Sequence, residues 1–122
     1  MQSAPEPFNA ECSNDEGRCV VALAGELDLQ TAPQLEAVVS QALADDPVLL
    51  VLDLSALTFI DSSGLRSVLA AHEQAQDTGH GFGMIPGPEN VQKLFAIAGL
   101  VNGLPWVSER GAPEVEPEPP AA

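Results

Sequence analysis

The sequence predicts a single α/β domain: a mostly parallel, mixed sheet of four to five strands with helices mainly on one face. Three observations predict it. Short apolar runs recur at 19–25, 48–55 and 82–85. Between them, apolar residues fall at helical rather than strand spacing. Strands alternating with helices imply parallel pairing through right-handed crossovers, and crossovers that all step the same way gather the helices on one face.

The elements can be justified in order. Phe8, Ala10 and Cys12 alternate with polar residues, which predicts a short edge strand. "SNDEGR" reads as a turn, so this strand joins the sheet antiparallel, through a hairpin. "CVVALAG", 19–25, reads as a buried strand. Leu35, Val38, Val39, Ala42 and Leu43 then mark one face of a helix. Thr31 with Gln34 three residues later fits a capping box, Pro33 sits in the first turn where its missing N–H does no harm, and Pro47 ends the pattern. "VLLVLDLS", 48–55, is a continuous run of the kind buried on both faces. Residues 58–60 read as a strand's end running into a helix, whose stripe is Leu65, Val68, Leu69 and His72, with Gly79 as its stop. "FGMI" gives a shorter strand. Val91, Leu94, Phe95 and Ala98 form the stripe of a third helix opened near Pro88 and closed by Gly99. "LPWV", 104–107, reads as a last short strand. Residues 1–107 thus make one domain, with a core of about 8–107, and the Pro/Glu-rich acidic segment 108–122 is expected to be a disordered tail.

Composition narrows the function. Aromatic residues are only 4% of the 122, so the core is built from Leu, Val and Ala. The net charge is −14, with Arg18, Arg66, Lys93 and Arg110 the only basic residues apart from histidine. Such a chain repels phosphate backbones, which argues against nucleic acid and against an anionic membrane surface. No apolar run reaches the roughly 18 residues that span a bilayer. The N-terminus lacks the layout of a signal peptide, so the protein is placed in the cytoplasm. There a Cys12–Cys19 disulfide is not expected, although a hairpin could set the two face to face; both read as small apolar residues. No metal-ligand spacing and no cofactor fingerprint is present.

The stretch that carries chemistry is "FIDSSGLRSVL", 59–69. Serines at a strand-to-helix junction can cap, attack or accept a phosphate. Attack needs a base within reach; His72 lies nearly three turns down the same helix and His80 beyond its far end, and the hydrolase elbow is absent. Capping by Asp61 or Ser62 is available, but it leaves the second serine and Gly64 unexplained. Small residues at Ser62, Ser63 and Gly64 leave the backbone open, as a kinase substrate requires.

"FIDSSGLRSVL" resembles the phosphorylation segment of bacterial anti-sigma-factor antagonists, the STAS-domain family. "LAGELDLQTAPQLEAVV", 23–39, is similar to that family's Gly-Glu-Leu-Asp strand end and helix, and "NVQKLFAIAGL", 90–100, to its third helix. The likeness spans about residues 19–107. It implies a non-catalytic protein whose unphosphorylated form binds an anti-sigma factor with serine-kinase activity and so releases a sigma factor. It implies Ser62 as the phosphate acceptor, with Ser63 less suited, and a serine phosphatase that resets the switch. Asp28, Asp61, Ser62, Ser63 and Gly64 would form the partner-binding surface. The C-terminus departs from the pattern, because "SERGAPEVEPEPPAA" stands where family members often carry a fourth helix. Two other readings keep a place. One is a STAS scaffold or sensor module in a larger signalling assembly, which would co-purify with a multi-subunit particle. The other is a serine hydrolase, which a fluorophosphonate probe would label.

Overall fold

The turn at Glu16 and Gly17 sets the edge of the sheet. Both residues have positive φ, 53° and 84°, the backbone of tight hairpin turns whose twist matches that of the strands. A computed structural model describes residues 8–100 and 103–107. In it β1 (Asn9–Asp15) and β2 (Arg18–Leu27) flank that turn. There follow α1 (Ala32–Ala44), β3 (Leu49–Ile60), α2 (Ser62–Asp77), β4 (Gly81–Ile85) and α3 (Glu89–Ile97). The sheet runs β1-β2-β3-β4. β1 is antiparallel to β2, and β2, β3 and β4 are parallel.

Each crossover therefore steps one strand in the same direction, and the helices collect on one face as the sequence predicts. Leu50, Leu52 and Leu54 of β3 share one buried cluster with Leu35 and Val39 of α1, Leu65 and Val68 of α2, and Val91 and Phe95 of α3. Phe95 meets Trp106 edge to face with centroids 5.2 Å apart. His72 is half-buried and stacks on Phe82 at 4.9 Å.

Four expectations need correction. The segment 104–107 is not a strand: it makes a single bridge, Met84 to Trp106. Met84 donates to the Pro105 carbonyl and accepts from the Val107 N–H. Pro105 has no N–H of its own to extend the ladder. The apolar run at 48–55 and the strand end at 58–60 are one strand. Asp53 Oδ1 accepts from the Ser55 N–H at 2.9 Å and from Ser55 Oγ at 2.7 Å. The register with β2 shifts just beyond, between Ala22 and Ala24. Such an irregularity bends a strand without ending it, so alternation fails at 55–56 while pairing continues to Leu27 and Ile60.

The capping box at Thr31 and Gln34 is also absent. Thr31 stands at the N-cap, but its side chain makes no cap hydrogen bond. Its hydroxyl turns back instead, donating to the Glu26 carbonyl at 2.9 Å and accepting from the Asp28 N–H at 2.9 Å. Finally, Cys12 and Cys19 are joined in a disulfide. Cys12 lies opposite Val21, and Cys19 opposite Asn14, so the two share one face of the hairpin on a diagonal. Their Cα atoms are 6.2 Å apart, within the span of a bridge. Cys12 opens on a cleft of about 440 Å³ between β1 and α1. The expected tail, 108–122, lies outside the described residues.

Candidate functional site

The site forms where two parallel strands end side by side. Leu27 pairs with Ile60 in register, so Asp28 and Asp61, the next residue of each strand, leave the sheet as neighbours. The Asp61 N–H donates to the Leu27 carbonyl at 3.2 Å, which ties the start of α2 to the end of β2.

Asp61 is the N-cap of α2. Its backbone is extended, and its Oδ1 accepts from the Gly64 N–H at 2.9 Å. One of the orphan donors of the first turn is thereby satisfied. Of the two caps the sequence allows, the structure uses Asp61. Ser62 is left exposed at the first helical position, with no capping duty. Ser63 is half-buried. Replacing Asp61 by alanine is accordingly expected to lower stability by about 1 kcal/mol, and Ser62→Ala by less than about 0.5 kcal/mol. Equilibrium urea unfolding of the two variants separates them, and equal losses would show that the cap is shared.

Gly64 has a different task from the one expected of it. It is buried, not part of an open surface. A Cβ built there would stand 2.4 Å from the Leu27 carbonyl oxygen, 2.9 Å from Leu27 Cγ and 3.0 Å from Ile60 Cγ1. The absence of a side chain lets α2 sit directly on the strand ends, and this close approach sets the height at which Ser62 and Ser63 stand. Buried Ser67, one turn on, donates to the Gly64 carbonyl at 2.7 Å.

Asp28 is half-buried, and its Oδ1 is the hub of the β2–α1 turn. It accepts from the Gln30 N–H at 3.0 Å and the Thr31 N–H at 3.1 Å, and stands 3.2 Å from the Thr31 hydroxyl oxygen. This turn presents Leu29, 72% exposed. Beside it, α1 and α2 enclose a shallow cleft of about 290 Å³ lined by Leu29, Pro33, Glu36, Ser63, Arg66 and Ala70, among others. On the other flank Phe59 is 43% exposed, and Asn90 Nδ2 donates to the Thr58 carbonyl at 3.0 Å, drawing the start of α3 towards the same end of the sheet. Sequence reading missed Leu29, Phe59 and Arg66. The available signal was an apolar side chain off every helical or strand stripe, in the turn between Asp28 and Pro33.

No imidazole accompanies these serines. His72 is stacked on Phe82. His80 bonds through Nε2 to Asp46 Oδ1 at 2.8 Å and through Nδ1 to the Thr78 hydroxyl at 2.7 Å. Among the described residues, no three His, Cys, Asp or Glu side chains group to hold a metal ion, and no helix is long and apolar enough to cross a membrane. The arrangement is an exposed hydroxyl on a rigid helix start, flanked by carboxylates and exposed apolar side chains.

The family model described as "Mlab, STAS domain" matches residues 11–105. The chain belongs to the STAS-domain family. Among STAS-domain relatives, it is 34% identical over 98 residues to the anti-sigma-F factor antagonist RsfB of Mycobacterium tuberculosis, covering 80% of each chain. Its fold matches the crystal structure of an anti-sigma factor antagonist from Mycobacterium paratuberculosis with a TM-score of 0.75 at 34% identity, covering 86% of this chain and 89% of that one. It also matches the anti-sigma factor antagonist SpoIIAA in its unphosphorylated form, with a TM-score of 0.68 at 25% identity over 85% of this chain and 90% of that one. The four-stranded mixed sheet with three helices formed by the described residues is thus the STAS fold in this chain too.

Proposed function

We propose that this protein is an anti-sigma factor antagonist, a regulator that acts by docking rather than by catalysis. Its unmodified form binds an anti-sigma factor with serine-kinase activity through the surface around Ser62, and a sigma factor is released. The kinase then passes the γ-phosphoryl group of ATP to Ser62. The Oγ–P bond forms as the bridging bond to ADP breaks, and the hydroxyl proton goes to the kinase's general base. A serine phosphatase hydrolyses the ester and restores the binding form.

The observation that carries this reading is the division of labour at the helix start. Asp61 caps while Ser62 stands exposed and unemployed by the fold. Similarity to proteins named anti-sigma factor antagonists supports the partner class. The physics agrees. A phosphate adds about −1.5 to −2 charges and three bulky oxygens beside the carboxylates of Asp28 and Asp61. Losing about 2.8 kcal/mol of docking energy lowers affinity roughly a hundredfold, without any change of fold. Asp28, Asp61, Ser62 and Ser63 border this surface, and Gly64 supports it from beneath. Incubation with the cognate kinase and ATP, followed by phosphopeptide mapping, is expected to place the phosphate on Ser62. Modification of Ser63 alone would overturn the assignment.

A further inference from the structure

Arg66 is one of four arginine and lysine residues in a chain with 18 acidic ones. It follows Ser62 by four residues on α2, so the two side chains are neighbours on the helix surface. Arg66 is exposed. Among the described residues the ion pairs are Arg18 with Asp15 and His80 with Asp46; Arg66 is in neither. Glu36 lines the same cleft from α1, yet lies outside salt-bridge distance. A cation with no carboxylate partner among the described residues therefore stands one helical turn from the exposed serine, at the rim of the α1–α2 cleft.

We propose that Arg66 is the positioning residue for a phosphate on Ser62, holding it against α2 and across the mouth of the cleft beside Leu29 and Ala70. This deepens the function proposed above and rests on it. The guanidinium fork matches phosphate oxygens and binds them more strongly than a neutral donor does. The groups facing the phosphate from the strand ends, Asp28 and Asp61, repel it, as does Glu36 across the cleft. Arg66 is the counter-charge on that side, so the phosphate folds down onto the helix. Phosphorylation then does more than add charge at the docking surface: it covers the apolar cleft that the unmodified form leaves open.

The test uses the full chain with phosphoserine inserted at position 62 during synthesis, compared with the same protein carrying Arg66→Gln. Phosphorus NMR reads the second ionisation of the phosphate. A neighbouring cation favours the dianion, so the ionisation is expected at a pH lower by about half a unit or more with Arg66 present. Arg66→Lys is expected to keep part of that shift. The methyl signals of Leu29 and Ala70 are expected to move on going from serine to phosphoserine, and to move much less in Arg66→Gln. Equal ionisation in the two proteins would overturn the proposal. Because the phosphoserine is built in without a kinase, that failure is distinct from failure of the proposed function, which would show as a kinase that leaves Ser62 untouched.

Discussion

Gly64→Ala is expected to melt at least about 10 °C below the parent protein. Alanine offers the helix about 1 kcal/mol of intrinsic propensity over glycine, and in an open first turn the substitution would stabilise. Here the new methyl group meets the Leu27 carbonyl oxygen at 2.4 Å. The obstacle is backbone, not the end of a flexible side chain, so α2 must lift from the strand ends. Overpacking of this kind costs about 1–3 kcal/mol, occasionally more, and lifting α2 also strains the Asp61 cap and the Asp61–Leu27 hydrogen bond. A net loss of about 2 kcal/mol or more corresponds to 10 °C or so in a domain of this size. Thermal unfolding followed by circular dichroism measures it, and an unchanged midpoint would mean that the helix start has more room than the structure gives it.

Ser62→Glu is expected to weaken binding to the anti-sigma partner by about ten- to a hundredfold, a loss of about 1.4–2.8 kcal/mol. The carboxylate carries less charge than a phosphate, so the effect is partial. Ser62→Ala should bind as the unmodified protein does and lose only its response to the proposed kinase. Asp28 needs a subtler variant. Asp28→Ala removes the acceptor that Gln30 and Thr31 share, so it opens the turn as well as deleting a charge. Asp28→Asn keeps the oxygen and isolates the charge. Binding titrations of the folded variants against one partner decide the matter. If Ser62→Glu and the parent bind equally, docking is not gated by charge at this position.

What was legible in the sequence was local. Val68 with its neighbours on α2, and Val91 with Phe95 on α3, announce helices because burial repeats at the helical period. "CVVALAG" announces a strand because its apolar residues crowd a short run. The Asp-Ser-Ser-Gly order marked the candidate site for the same reason, since a cap, a hydroxyl and a small residue are all properties of one short stretch. What escaped was set by distant partners. Gly64 is required by Leu27, which reaches it through the sheet. Thr31 abandons its cap because Glu26 and Asp28 compete for its hydroxyl. The strand passes position 55 because Asp53 folds onto Ser55 and the pairing with β2 continues. The hairpin that sets Cys12 near Cys19 was legible, and the bridge was discounted on the expected redox compartment instead. Arg66 and Leu29 acquire meaning only when α1 and α2 are side by side.

The separation between the residue that caps α2 and the residue beside it bears on protein turnover. Clearance by cellular proteases commonly follows the small population of opened chains, and so follows stability. A destabilisation of only 1–2 kcal/mol can change abundance several-fold. Were Ser62 the cap, the proposed phosphorylation would also alter how fast the molecule is destroyed, and the two proposed forms would drain at different rates. With Asp61 holding the helix, the proposed phosphorylation of Ser62 leaves the cap itself in place. Under the proposed switch, turnover driven by loss of the cap would then not follow the state of Ser62.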